Sequence, residues 1–160
     1  MADITPEMVW KEIERRSYGV LAFVTPKGHP RTAGIVYHVA GRKLYIATEV
    51  ESWKARYIPQ SPHVAMTIGI PKRVPFFPWI PIPDATISFH GSARMLTVDD
   101  TPPALYRELM RKSAADPEAY RARVRIIELT PEDHFATYGV GVSLLGMREH
   151  DRAGGRCPVS

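Results

Sequence analysis

Short apolar runs with alternating apolar positions, separated by turn residues, dominate the chain and predict β-strands. Tyr18–Thr25 is an apolar run that ends at the turn Pro26-Lys27-Gly28, and Arg31–His38 follows as the second arm of a hairpin. A second turn at Ala40-Gly41 leads into Lys43–Thr48, where apolar residues occupy alternate positions. These three runs predict a meander of neighbouring strands joined by tight turns.

Further strands follow in the rest of the chain. A glycine inside one of them, Gly91, predicts a bulge or a close approach of another backbone segment. Helix signals, each with a capping residue next to proline or to apolar periodicity, flank the strands at four places. The predicted strands are His63–Ile70, Ala85–Leu96, Val124–Leu129 and Phe135–Val140, and the predicted helices are Thr5 to about Arg16, Trp53–Ile58 capped by Ser52, Asp100 or Thr101 to Ser113, and a short one from Asp116-Pro117.

This order of elements predicts a mainly β fold with peripheral helices. Its expected form is an antiparallel split β-barrel of six to seven strands with flanking helices. We expect one domain over residues 1–142 and a loosely structured C-terminal tail over residues 143–160.

Composition narrows the class of protein. The 160 residues are 44% hydrophobic and 24% charged, as expected of one globular domain. The apolar runs are too short to span a bilayer, and no secretory signal precedes them. The single cysteine, Cys157, favours a reducing cytoplasm. A net charge of +4 suits an anionic ligand as well as nucleic acid.

Common catalytic motifs are missing. The sequence has no dinucleotide fingerprint, no P-loop and no G-x-S-x-G elbow. Its six histidines are scattered without the spacing of a metal site, so no metal is expected. No pair of carboxylates in the sequence suggests general acid–base catalysis, and we assign no catalytic residue. If the protein is an enzyme, a bound cofactor is expected to supply the reactivity.

A basic segment between two predicted strands is the first candidate site. Ser52 begins a short helix that carries Lys54 and Arg56, and Arg31 opens a neighbouring strand. A helix start with nearby cations is a common anion site. The alternative is that these charges form an ordinary solvated face, and the residues alone leave both interpretations open.

Several local strings at these positions resemble one known family. They are GVLAFVTPKGHPR at residues 19–31, LYIAT at 44–48, Ser52-Trp53-Lys54, Ser61-Pro62, and FHGSARML at 89–96. Their order and spacing resemble the pyridoxamine 5′-phosphate oxidase-like family of FMN-binding split β-barrels. The resemblance covers roughly Met8 to Tyr138.

The resemblance implies a homodimer with a flavin in a groove between the subunits. FMN is the cofactor it favours, and the alternative is the deazaflavin coenzyme F-420, whose longer anionic tail would use a second cation. The implied cofactor-binding residues are Arg31, Ser52 and Lys54 at the phosphate, Thr48 near the ribityl chain, the adjacent Thr32 and Trp53, and Arg56 as the additional cation of the deazaflavin branch.

The chain departs from the family pattern in ways that argue against vitamin B6 oxidation. Val36 stands where true pyridoxamine phosphate oxidases carry a lysine, and their C-terminal substrate-binding arginine and histidine have no clear counterpart. Trp53 stands where many relatives have arginine, which removes one phosphate donor. It is expected to pack on the cofactor or on the partner subunit.

The segment from Pro71 to Asp84 is the most individual part of the sequence. Five of its fourteen residues are proline, and Phe76, Phe77 and Trp79 stand close together within it. One hypothesis makes these rings a lid that stacks a planar substrate against the cofactor. The alternative is that they fill the barrel end or the dimer interface, because aromatic clusters usually serve packing.

Three functions remain open at this point. The first is an oxidoreductase that moves a hydride between the cofactor and a small planar conjugated substrate. The second is a non-catalytic carrier of flavin, deazaflavin or haem. The third, a nucleic-acid-binding barrel, fits poorly because the aromatic residues cluster in a proline-rich loop instead of alternating with basic residues on strands. We therefore expect no nucleic acid as a partner, and the short apolar runs lead us to expect no membrane partner either.

Overall fold

The computed structural model describes residues 3–77, 79–111, 116–144, 146–148 and 153–160. These residues form nine strands and four α-helices, with one 3-10 turn at Gly146–Arg148. The helices are α1 (Pro6–Arg15), α2 (Trp53–Tyr57), α3 (Pro103–Arg111) and α4 (Pro117–Tyr120). The strands are β1 (Tyr18–Val24), β2 (Pro30–Val36), β3 (His38–Ala40), β4 (Lys43–Glu49), β5 (His63–Ile70), β6 (Ala85–Leu96), β7 (Val124–Pro131), β8 (His134–Tyr138) and β9 (Gly154–Pro158).

All strands join one antiparallel sheet that curls into a half-barrel. Its main path runs β2-β1-β5-β6-β7-β4-β3, with β8 and β9 added beside β6. The long strand β6 allows this branch, because its first half pairs with β8 and its second half with β7. The two ends of the path, β2 and β3, are consecutive along the chain and are separated only by Tyr37. The sheet therefore bends back toward its own start.

Two apolar cores hold the sheet in this shape. The larger core fills the concave side, where α1 packs through Trp10 onto Phe135 with ring centroids 5.4 Å apart. The smaller core lies on the other face of β4 and β7, where Leu105 and Leu109 of α3 cover Ile126.

The caps of α1 and α2 are those predicted, because Thr5 and Ser52 each accept a hydrogen bond from a backbone N–H of the first turn. Among the described helices, none is long and apolar enough to cross a membrane.

Gly91 marks a close approach of two backbone segments, as predicted. A Cβ atom at this position would overlap with the carbonyl oxygen of Thr130 and lie 3.0 Å from the Cα atom of Pro131. Gly91 pairs with Pro131 where β6 passes from one neighbouring strand to the other. The absence of a side chain at Gly91 is therefore a requirement of the sheet's branch point.

A buried carboxylate lies at the edge of the smaller core. The Glu128 side chain is 7% exposed and lies 2.7 Å from Arg94 Nε and 3.1 Å from Lys43 Nζ. The hydroxyl of Tyr45 donates a third hydrogen bond to it. Burial raises the pKa of Glu128, but the hydrogen bonds from Arg94, Lys43 and Tyr45 outweigh it and hold the pKa below its ordinary value.

The predicted antiparallel split-barrel fold is confirmed, but two predicted details of its strands are wrong. The described residues form nine strands, more than the predicted six to seven, because the second predicted strand is interrupted at Tyr37 and the tail contributes β9. The first strands do not form a simple meander, since β4 pairs with β7 and β3 but not with β2. The predicted end of α3 at Lys112–Ser113 lies outside the described residues, as does Pro78.

The C-terminal tail was expected to be loosely structured, and residues 154–158 instead form β9 against β8. Two hydrogen bonds at Val159, outside the pairing of β9 with β8, hold the tail in place. Trp10 Nε1 donates a hydrogen bond to the carbonyl oxygen of Val159 at 3.0 Å, and the Val159 N–H donates to Asp133. Cys157 of β9 is buried. The tail is thus anchored to α1 and to the sheet of its own chain.

Candidate functional site

A cleft of about 480 Å³ opens where the curled sheet does not close on itself. Its walls come from the end of β2 and the start of β3, from the second half of β4, and from α3, and α4 supplies Tyr120. Ser52 and Lys54 of the α2 segment complete the rim. The volume lies within the range of small-molecule sites, about 300–1,000 Å³.

The hydroxyl groups of Thr48 and Ser52 meet in the lining of this cleft. Thr48 Oγ1 and Ser52 Oγ lie 2.8 Å apart, and Thr48 is only 6% exposed. Ser52 Oγ also accepts a hydrogen bond from the Ala55 N–H at 3.2 Å, which caps α2. Because α2 has only five residues, its dipole is small, and nearby side-chain charge is the main attraction for an anion.

Lys54 supplies that charge. Its side chain is half-buried, lines the cleft, and forms no ion pair with any residue that the structure describes. Arg56 differs, since its Nη2 atom lies 2.8 Å from Glu51 Oε2 and it does not belong to the cleft wall. The structure therefore separates the two cations that the sequence places two residues apart.

Three other predicted cofactor residues lie beside the cleft and not in its lining. Arg31 and Thr32 are exposed at the start of β2. The guanidinium carbon of Arg31 lies 5.8 Å from the ring centroid of Trp53, which is a cation–π contact. Trp53 is 61% exposed. This pair can flank a ligand that extends from the Ser52 end of the cleft, and Trp53 packs on Arg31 within its own chain.

The cleft also contains residues that sequence reasoning missed. His38 lines it at the start of β3, and Tyr120 of α4 faces Glu49 with its hydroxyl donating to the carboxylate. This hydrogen bond and partial burial raise the pKa of Tyr120. Buried Tyr37 donates its hydroxyl hydrogen to the Ile13 carbonyl oxygen at 2.8 Å, and burial raises the pKa of this tyrosine well above its ordinary value. No local motif in the sequence marks these positions.

The aromatic residues of the segment from Pro71 to Asp84 are not in the cleft of their own chain. Phe76, Phe77 and Trp79 are 92%, 51% and 74% exposed. The alternative in which they fill the end of their own barrel is therefore wrong. Their predicted role as a lid would require a partner subunit, and it stays a prediction.

The histidines form no metal site in the part of the chain that the structure describes. His90 Nε2 lies 2.9 Å from Asp133, and Arg156 donates to His134 Nδ1 at 3.2 Å. No group of three or more His, Cys, Asp or Glu residues is placed there to hold a metal ion.

Comparison with known families identifies the class of protein. The family model described as pyridoxamine 5′-phosphate oxidase matches residues 5–138. The chain therefore belongs to the pyridoxamine 5′-phosphate oxidase family, as the resemblance in the sequence predicted. No curated protein matches the chain.

Solved structures of similar fold include proteins with different ligands in their names. An F-420 reductase is 24% identical, with 82% of this chain and 95% of that chain covered and a TM-score of 0.56. A pyridoxamine 5′-phosphate oxidase-related, FMN-binding protein from Nostoc punctiforme is 16% identical, with 94% and 90% covered and a TM-score of 0.57. The heme storage protein HutZ from Vibrio cholerae is 15% identical, with 86% and 97% covered and a TM-score of 0.65. Identities this low show the fold alone.

Proposed function

We propose that the protein binds FMN in the cleft between β2 and β4 and acts as a flavin-dependent oxidoreductase. The observation that carries this proposal is the ammonium group of Lys54, which pairs with no acid among the described residues and lines the cleft together with the Thr48–Ser52 hydroxyl pair. A cation and two hydroxyl groups in a cleft that is also lined by apolar residues such as Leu109 suit a ligand with a phosphate tail and a planar ring.

In this proposal, Lys54 and Ser52 bind the phosphate and Thr48 lies along the ribityl chain. Bound flavin would supply hydride transfer to a small planar conjugated substrate. The protein would orient the ring and exclude water, and it requires no acid–base pair of its own. The family membership and the FMN-binding neighbour support FMN as the ligand.

FMN is favoured over the deazaflavin by the position of Arg56. The longer anionic tail of coenzyme F-420 would use a free second cation, but Arg56 is held by Glu51 outside the cleft wall. The F-420 reductase among the structural neighbours keeps the deazaflavin as the alternative ligand.

We also propose that the protein is a homodimer that packs through the outward face of β2, β1 and β5. Tyr18, Val20 and Val36 on this face are 59%, 40% and 50% exposed, and the outward positions Ala65 and Thr67 beside them carry no charge. Uncharged apolar sheet faces are usually covered by another surface. Light scattering should give a dimer for the wild type and a monomer for Val20→Asp, whose new carboxylate would be buried in the interface.

A non-catalytic haem carrier is the second candidate, because of a separate apolar groove of about 220 Å³ on the same outward face. Ala22 and Val24 line it, and the imidazoles of His63 and His90 flank it. Histidine is a common axial ligand of haem iron. A Soret band that forms with hemin and is lost in His63→Ala would support this function.

Titration of purified, cofactor-stripped protein with FMN and with the deazaflavin, followed by flavin fluorescence, tests the main proposal. We expect micromolar or tighter binding of FMN. Lys54→Ala should weaken it by about 1.5–3 kcal/mol, because a charged hydrogen bond is lost. The matched control Lys27→Ala, in the turn between β1 and β2, should leave the affinity unchanged. Equal FMN affinity in Lys54→Ala and the wild type would refute the phosphate assignment.

A further inference from the structure

The loop between β5 and β6 holds a group of large apolar side chains in water. Phe76, Phe77, Trp79 and Ile80 are 92%, 51%, 74% and 41% exposed. We call these four residues the aromatic tip. Contiguous exposed apolar groups of this size usually mark a surface that contacts a partner or a membrane.

The aromatic tip is held in position by the loop itself. The Phe77 N–H donates to the Val74 carbonyl oxygen at 3.2 Å, and the Ile80 N–H donates to Phe77 at 3.1 Å. The rings of Phe77 and Trp79 pack edge to face with centroids 5.5 Å apart. Prolines at positions 71, 75, 81 and 83 restrict the backbone further. Because the loop already holds the rings in place, little conformational entropy would be lost when they contact a partner.

Basic side chains lie at the base of this loop. A groove of about 240 Å³ between α1 and the end of β5 is lined by Lys11, Arg15 and Lys72, and Arg73 follows directly in the loop. We call these four residues the basic collar. Glu12 also lines the groove and pairs with Arg15. Lys11, Lys72 and Arg73 form no ion pair with any residue in the described ranges.

The sequence around the loop adds to this charge asymmetry. Residues 52–83 contain no aspartate or glutamate, and Asp84 is the first acid after the aromatic tip. The aromatic tip and the collar residues Lys72 and Arg73 therefore meet no acidic side chain of their own segment. An anionic surface would complement the collar while the rings leave water.

We propose that the aromatic tip and the basic collar dock the protein onto an anionic lipid surface. Tryptophan and phenylalanine are favoured at the boundary between headgroups and acyl chains, and each lysine or arginine near an anionic leaflet adds to the attraction. The protein would lie on the membrane without crossing it. The sequence predicts no membrane partner because its apolar runs are too short to span a bilayer, and it does not show that these rings are exposed.

A second copy of the chain fits this surface less well. In a symmetric dimer the same patch occurs on both sides of the contact, so both basic collars would enter one interface, and residues 52–83 bring no acidic side chain to neutralise them. Like charges placed opposite one another oppose such an association. An anionic bilayer instead neutralises Lys72 and Arg73 as Trp79 enters the interface.

Co-sedimentation of the full chain with vesicles tests the proposal. We expect it to sediment with vesicles of phosphatidylcholine and phosphatidylglycerol, and much less with phosphatidylcholine alone, and binding to the anionic vesicles should fall as salt rises. In a Trp53→Phe background, the emission of Trp79 should shift to shorter wavelength with the anionic vesicles. Absence of sedimentation with anionic vesicles at low salt would overturn the proposal.

Variants separate the contributions of the tip and the collar. The double variant Phe76→Ser and Trp79→Ser should reduce vesicle binding by about tenfold or more, because two interfacial rings are removed. Lys72→Glu should reduce it strongly, whereas Lys27→Glu, with the same change in net charge at the opposite end of β1, should reduce it little. Equal losses in the two charge variants would overturn the proposal, since they would indicate attraction by net charge alone.

The same variants identify a protein contact if one exists. All four substituted side chains are solvent-exposed or half-buried, so the variants should keep the thermal unfolding midpoint of the wild type, which we would measure alongside. If light scattering shows that the double variant loses a self-association present in the wild type, and vesicles bind neither protein, the surface is a contact between copies of the chain and the lipid proposal is wrong.

Discussion

Thr48 Oγ1 and Ser52 Oγ lie 2.8 Å apart, and this contact joins the end of β4 to the start of α2. The same Ser52 oxygen caps α2 and faces the cleft. One hydroxyl group therefore serves both the local fold and the proposed phosphate site, and a simple deletion of it would affect both.

Two substitutions at Ser52 separate these roles. Ser52→Ala removes the cap and should lower the free energy of unfolding by about 0.5–2 kcal/mol. Ser52→Asp keeps a capping oxygen, so we expect unfolding within about 0.5 kcal/mol of the wild type. Its carboxylate would repel a phosphate, so FMN affinity should fall by about tenfold or more. Urea unfolding and FMN titration measure the two effects. FMN binding by Ser52→Asp equal to that of the wild type would place the phosphate elsewhere.

Arg56 should matter little for FMN, because it is paired with Glu51 and does not line the cleft. We expect Arg56→Ala to change the Kd for FMN by less than about twofold, since its exposed ion pair contributes little. Glu51→Gln would release Arg56 and should tighten binding of the deazaflavin more than binding of FMN. A loss of FMN affinity in Arg56→Ala as large as in Lys54→Ala would contradict this assignment.

Glu128 should make the stability of the protein depend on pH. Its folded-state pKa lies below the ordinary value of 4.5, so its contribution is present above that value and is lost as pH falls through the folded-state pKa. Glu128→Gln should lower the free energy of unfolding by about 1–3 kcal/mol at neutral pH. The difference from the wild type should shrink in acid.

Urea unfolding of both proteins over a pH series checks this expectation. Glu14→Gln on the exposed face of α1 is the matched control, and it should stay within about 0.5 kcal/mol of the wild type at neutral pH. A difference between wild type and Glu128→Gln that stays constant from neutral to strongly acidic pH would show that the charge of Glu128 is not responsible.

Gly91 and Gly69 provide a paired test of the sheet's branch point. Gly91→Ala would force a Cβ against the Thr130 carbonyl oxygen, so we expect a loss of about 1–3 kcal/mol in unfolding free energy. At Gly69 no heavy atom lies within 4 Å of an added Cβ, so Gly69→Ala should be neutral or slightly stabilising. Thermal or urea unfolding of the two variants measures both. Equal free energies of unfolding for the two variants would mean that β6 and β7 can move apart at Gly91 without a loss of stability.

Local patterns predicted the strands far better than their partners. Alternation of apolar residues placed β5 and β6 to the residue, because each strand has one buried face. The pairing of Thr48 with Arg125 could not be predicted in this way, since a strand's own pattern does not show which distant segment covers its edge.

The residues of the candidate site show the same difference between local features, which the sequence predicts, and long-range contacts, which it does not. Ser52 and Lys54 were predicted from one short segment and Thr48 from the family resemblance, and all three line the cleft. His38 and Tyr120 were missed because they lie far from that segment in sequence and reach the cleft only through the closure of the sheet. The sequence also could not show that the aromatic tip is exposed, since a proline-rich aromatic segment has the same pattern whether its rings are packed or solvated.

The break of the second predicted strand at Tyr37 sets a limit on the cleft. Val36 and His38 belong to opposite ends of the sheet, yet two peptide links tie them to within about 7 Å. The backbone at Tyr37 therefore links the two walls at this end of the cleft. This end cannot widen unless paired strands separate. Selection for a new ligand would therefore act first on interchangeable rim side chains, such as Lys54, while the scaffold keeps its dimensions.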